Sequence, residues 1–174
     1  QAVSGEMILD RLLERIMRAA IEHAGAERGL LIAWLGDALQ IQAQATASGA
    51  DVTVNLRDMD HTEAALPQSL VRYVMRTRDT VILEDASSQN LFSADPYLVQ
   101  HRARSILCLP LINQGNLIGV LYLENNLAPR VFGPARIAVL KLLASQAAMS
   151  LENTRLYHDL AQREAQIRRL VDAD

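Results

Sequence analysis

The segment ARSILCLPLINQGNLIGVLYLEN, Ala103 to Asn125, restricts the fold more than any other part of the chain, because it reads as two strands and a tight turn with no wet face. Ile106, Cys108, Pro110 and Ile112 alternate with Leu107, Leu109 and Leu111, so both sides of the first strand are apolar and both must be covered. Asn113-Gln114-Gly115-Asn116 turns the chain, with Gly115 best able to take a positive φ. In the second strand Leu117, Gly119, Leu121 and Leu123 share one side, and Ile118, Val120 and Tyr122 the other. Phe132-Gly133-Pro134 then opens a helix that meets no breaker through Asp174.

The elements before this hairpin supply its cover. Ser4 is a plausible N-cap for a helix that runs to about Ala24, with Leu9, Leu12, Leu13, Ile16, Ala20 and Ala24 on one broad face and Gly25 as its stop. Arg28 to Leu35 reads as a buried strand containing Trp34. Beyond Gly36-Asp37 a strand alternates cleanly, Leu39, Ile41, Ala43 and Ala45 against Gln40, Gln42, Gln44 and Thr46. Ser48-Gly49-Ala50-Asp51 turns into a short strand, Val52 to Leu56. Leu66-Pro67 opens a helix to about Thr77 with Leu70, Val71, Val74 and Met75 inward, and Val81-Ile82-Leu83 is a short strand ending at Glu84-Asp85, read as solvated carboxylates. Ala86 to Arg102 is an irregular crossover with apolar anchors Leu91, Phe92, Tyr97 and Leu98. Connections of that length inside a domain tend to be functional. The order predicts an α+β domain on one antiparallel sheet, with the terminal helices on one face.

Composition narrows the function. The 174 residues, 50% hydrophobic, suffice for one sizeable core. A net charge of -3 gives no basic field for nucleic acid. One cysteine rules out an internal disulfide framework and fits a reducing compartment, no apolar run spans a membrane, and no signal peptide is evident, so a cytoplasmic location is expected. The unfinished helical pattern at Val171-Asp172-Ala173-Asp174 suggests a piece of a longer protein. No phosphate loop, nucleophile elbow or zinc-type His-Glu pairing is present, and His23, His61, His101 and His158 are scattered, so neither catalysis nor a metal site is expected.

RSILCLPL, GVLYLEN and LLASQAAMSLENTRLY closely resemble the last two central strands and C-terminal helix of GAF domains in large bacterial sensor kinases. The resemblance covers roughly Glu27 to Leu151. It implies domain limits of 1–26 for an N-terminal linker helix, 27–151 for the GAF domain and 152–174 for a C-terminal signalling helix. It also implies a crossover that closes a small-molecule pocket over the sheet, with Asp85, Phe92, Tyr97, His101 and Arg104 as wall candidates. Whether these side chains line a ligand site or plug the cavity stays open. A bilin is not expected, because related bilin-binding domains carry a Cys-His pair near the crossover, whereas Cys108 sits mid-strand as a buried hydrophobe rather than a redox sensor. Asn90-Leu91-Phe92-Ser93-Ala94-Asp95 does not reproduce the Asn-Lys-Phe-Asp-Glu signature of cyclic-nucleotide binders, and haem would have only His101 to offer. A free methionine sulfoxide reductase uses several cysteines, which argues against that enzyme here.

The last helix carries a seam with alternating steps of four and three: Met149, Asn153, Leu156, Leu160, Arg163, Ile167 and Leu170. Its stretch beyond Leu156 outruns the domain, so a parallel homodimer through the terminal helices is expected. The text from Arg163 to Ala173 resembles the connector to a PAS domain in sensor histidine kinases, and some relatives also carry a serine/threonine kinase-like region. The reading is therefore a sensory or regulatory domain that relays ligand occupancy or packing state along this helix, against the alternative of a ligand-free dimerisation module.

Overall fold

The computed structural model describes residues 5–57 and 66–173 of the chain, so the Ser4 cap and His61 lie outside the described residues. Chain order is α1 (Gly5–Glu22), β1 (Arg28–Leu35), β2 (Ala38–Ser48), β3 (Asp51–Leu56), α2 (Gln68–Thr77), β4 (Val81–Leu83), α3 (Pro96–His101), β5 (Ser105–Asn113), β6 (Asn116–Asn125) and α4 (Pro134–Asp172). The strands form one six-stranded sheet in the order β3-β2-β1-β6-β5-β4, and every neighbouring pair is antiparallel. The two apolar strands of the hairpin therefore sit near the centre, where both faces are covered. Gln114 and Gly115 form its two-residue loop with φ of 51° and 80°, the left-handed pair that a tight hairpin matched to sheet twist requires.

Each face of the sheet has its own core. Leu9, Leu13, Ile16 and Met17 of α1 and Ile137, Leu140, Ala144, Ala147, Ala148 and Leu151 of α4 pack on Leu31, Leu107, Leu109, Leu121 and Leu123. On the other face, Leu70, Val71 and Val74 of α2 join Phe92, Tyr97 and Leu98 of the crossover over Leu30, Ile106, Cys108, Val120 and Tyr122. Alternation along β1, β5 and β6 divides these sets, and α1 ends at Glu22, just before Gly25 with its φ of 84°.

Two expected strand faces are corrected by β-bulges. Leu31 pairs with Ala43 but Ile32 pairs with Ile41, which leaves Gln42 as an extra residue in β2. Across it the alternation switches: Ile41 joins the crossover core, while Ala43 and Ala45 join the helix core. Likewise Leu111 pairs with Gly119 and Ile112 with Leu117, so Ile118 is extra in β6 and packs with the helices rather than beside Val120 and Tyr122. Gly119 is required there, because a Cβ would lie 1.9 Å from the Ile32 carbonyl oxygen.

Candidate functional site

The crossover is fastened to the domain at its base, middle and start. At its base, Arg104 donates from Nε to Asp85 Oδ1 at 3.1 Å and from a terminal nitrogen to Oδ2 at 3.2 Å. These bonds, then those from Ser87, hold the Asp85 carboxyl down at a pKa of about 2, so Asp85 is an ion-pair partner rather than a freely solvated strand end. The α3 helix starts at buried Asp95, whose Oδ1 accepts from Tyr97 N at 2.9 Å and whose Oδ2 accepts from Ser69 N at 3.0 Å, joining α3 to the first turn of α2.

The middle fastening is a buried polar network centred on Glu124, which is only 3% exposed. The Tyr97 hydroxyl sits 2.6 and 2.8 Å from the two carboxylate oxygens, and the Tyr122 hydroxyl donates to Oε1 at 2.8 Å. Asn126 Nδ2 donates to Oε2 at 3.0 Å, while Arg28 donates to both Tyr97 Oη at 3.1 Å and Glu124 Oε1 at 3.3 Å. Burial, reinforced by the adjoining carboxylate, pushes both tyrosine hydroxyls well above their usual pKa, so they act as donors at any physiological pH. Every oxygen of this buried charge is therefore engaged, as a carboxylate inside a core requires.

The sequence-derived candidates separate on this frame. Phe92 and Tyr97 are buried, Phe92 edge-on to Tyr73 with centroids 5.3 Å apart, and both rings occupy the crossover face of the sheet. His101 is exposed: it stacks on the outer side of Tyr97 at 4.1 Å and its Nδ1 lies 3.2 Å from the Tyr97 carbonyl oxygen, so it does not face an interior pocket. An open depression of about 660 Å³ runs beside α3, lined by Ala86, Ser93, Leu98, Arg102, Arg104 and Asn126; of the wall candidates only Arg104 reaches it. Cys108 is fully buried, and desolvation pushes its thiol far up. Arg28, Tyr122, Glu124 and Asp95 were not among the candidates. The signal for Glu124 was present: it follows Val120 and Tyr122 at period two, which puts a carboxylate on the buried side of the strand.

On the opposite side of the sheet, α4 is one 39-residue helix whose first part is core and whose remainder projects roughly 30 Å past Leu151. Met149, Leu156, Leu160, Ile167 and Leu170 are exposed, Leu156 and Leu160 at 53% and 54%. Asn153 lies in the same row and is exposed too. The row also extends further back than Met149, where the sequence starts the seam, since Val139 and Leu142 are exposed and continue the three-four spacing through Gln146.

Comparison with known proteins agrees with this architecture. The model of the GAF domain matches residues 9–151. Hybrid signal transduction histidine kinase G of Dictyostelium discoideum is 42% identical over 89 residues, covering 51% of this chain. A peroxide stress-activated histidine kinase of Schizosaccharomyces pombe is 21% identical over 91% of the chain. The chain spans 3% and 7% of the length of these two relatives. Among solved structures, the GAF domain of a two-component sensor histidine kinase from Bacillus halodurans superposes with a TM-score of 0.60 at 19% identity, covering 86% of this chain and 97% of that one. A type II free methionine-R-sulfoxide reductase from Thermoplasma acidophilum shares the fold at a TM-score of 0.59 and 16% identity, with 86% of this chain and 96% of that one covered. No helix among the described residues is long and apolar enough to cross a membrane. By its matched residues, its sheet order and its two-faced core, the chain belongs to the GAF domain family.

Proposed function

We propose that this GAF domain is a non-catalytic regulatory module of a cytoplasmic multidomain histidine kinase, in which two copies pair along α4 and the packing of the crossover biases that pairing. Residues 1–26 serve as the entry helix, 27–151 as the sensing domain and 152–174 as the output helix leading to a PAS module. The observation that carries this reading is the exposed row from Val139 to Leu170 on a helix whose other side is locked into the sheet core. A change in the core is thereby connected to the projecting helix without any intervening loop.

The row has the spacing of a two-stranded coiled coil, and covering it suits a parallel pair. Burying a Leu or Ile fully contributes about 1.5 to 3 kcal/mol, and these side chains are already about half covered, so each adds roughly 1 kcal/mol before association entropy is met. Dimers that depend on micromolar concentration follow. Sedimentation of the unmodified chain should show them, and Leu156→Asp with Leu160→Asp should give folded monomers. A monomer at high micromolar concentration in the unmodified chain defeats the proposal.

A ligand-free dimerisation module is the second reading, and the packing of the crossover favours it: a small molecule seated between the crossover and the sheet must displace Tyr97 or Phe92. A thermal-shift screen separates the two. Hits abolished by Tyr97→Glu support a ligand relay, and a screen without hits supports the spacer. A methionine sulfoxide reductase activity is opposed by the chain's one cysteine lying inert inside the sheet.

A further inference from the structure

We propose that a second ligand site, separate from the crossover, lies where α4 leaves the domain, and that it accepts a planar heteroaromatic molecule bearing a hydrogen-bond donor beside an acceptor on its edge. A cleft of about 500 Å³ opens there between α1, the β1–β2 turn and α4, with Leu9, Trp34, Gln42, Leu151, Arg155 and His158 among its walls. That volume is within the range of small-molecule sites, and the mixture of apolar walls with a few polar groups matches their chemistry.

The floor residue gives the site its chemistry. Gln42 is the extra residue of the β2 bulge, so its side chain turns to the same side as Ala43, towards the helices. It is 5% exposed, yet its carboxamide has no hydrogen-bond partner among the described residues. Its amide atoms are not among the fully enclosed unpaired ones, so the free donor and acceptor open into the cleft that Gln42 lines. A carboxamide presents a donor and an acceptor side by side, which pair with the complementary edge of a base in the way glutamine engages the N6 and N7 positions of adenine. Half-buried Trp34 supplies an aromatic surface in the same cleft.

The site is also placed to matter. Leu151, Arg155 and His158 lie on the opposite side of α4 from Met149, Asn153, Leu156 and Leu160 at 100° per residue, so a pair formed along the exposed row leaves the cleft open. A molecule seated there touches the sheet through Gln42 and the output helix through Leu151 and Arg155, and so stiffens the joint between them. This does not depend on the crossover being occupied or on dimerisation.

Trp34 is the chain's one tryptophan, so its emission reports on this cleft directly. Adenine and cytosine, titrated with excitation at the red edge of tryptophan absorption where both bases are transparent, should give saturable quenching. N6,N6-dimethyladenine, which lacks the edge donor, should bind about tenfold or more weakly, and so should adenine to Gln42→Leu. Absence of saturable quenching by both bases overturns the proposal. Equal binding of the dimethylated base to the unmodified chain overturns it as well, whatever the folding of the Gln42→Leu variant.

Discussion

Tyr97→Phe is the substitution that tests the buried network most directly, since it removes one oxygen and leaves the ring in place. That oxygen lies between Arg28 at 3.1 Å and the Glu124 carboxylate at 2.6 and 2.8 Å. A hydrogen bond to a charged group contributes about 1.5 to 3 kcal/mol. The carboxylate keeps Tyr122, Asn126 and Arg28 as donors, so it is not stranded, and the loss should stay near 2 kcal/mol rather than approach the about 3 to 5 kcal/mol of a broken buried ion pair. With a urea dependence of about 2 kcal/mol per molar, the unfolding midpoint should fall by about 1 M with unchanged slope. In a Glu124→Gln background the hydroxyl meets a neutral acceptor, where a bond is worth only about 1 kcal/mol, so the double-mutant cycle should return a coupling near 1 kcal/mol. A loss below about 0.5 kcal/mol, or equal losses in both backgrounds, would refute the claim that Tyr97 anchors the crossover through a charged carboxylate.

The pH dependence of stability should turn downward in alkali. Cys108, Tyr97 and Tyr122 all have folded pKa values above their unfolded values of 9.0 and 10.0, so the folded state holds protons that the unfolded chain releases, and urea midpoints should fall as pH rises past about 9. At the acid end, Asp85 is depressed, so its contribution is present above 3.8 and lost as pH falls towards 2; Asp85→Asn should flatten that part of the curve. Gly119→Ala should cost at least about 2 kcal/mol or prevent folding, because its Cβ meets the backbone of Ile32 and Ala33 rather than a movable side chain, and a thermal melt checks it. Asn153→Ile should tighten self-association while broadening it beyond dimers, readable by sedimentation, as expected when a polar seam residue that fixes register is lost.

The order of elements was legible because apolar alternation, turn residues and one unbroken helical period each act locally, and every strand fell where alternation placed it. The two bulges were not. Gln40, Gln42 and Gln44 look alike in sequence, and only pairing with β1 shows that Gln42 has no opposite number. The Glu124 network was hidden for a related reason: Arg28 lies directly opposite Glu124, but their strands come from distant parts of the chain, and an ion pair across them exists only once β1 is known to lie beside β6. Phe92 and Tyr97 were legible as crossover anchors, and both are buried in the cluster over that face of the sheet.

The same contrast between local and long-range information explains how α4 can be core on one side and present an exposed apolar row on the other. Its inward side uses small residues at Ala144, Ala147 and Ala148, which let the helix backbone approach α1 and the sheet closely. Its outward side repeats at three and four residues from Val139 onward, a spacing tied to a straight or supercoiled partner rather than to the curved surface of a sheet. A helix so divided cannot satisfy its outer row by bending back, because the inward residues fix its rotation. In the proposed dimer, rotation set by the core would determine which residues the outer row presents to a second copy, and a repacking of a few degrees at Ala147 and Ala148 would be carried along the helix to Leu170. In that proposal, Asn153 and Arg163 would keep the row from becoming so apolar that a single rotation always wins.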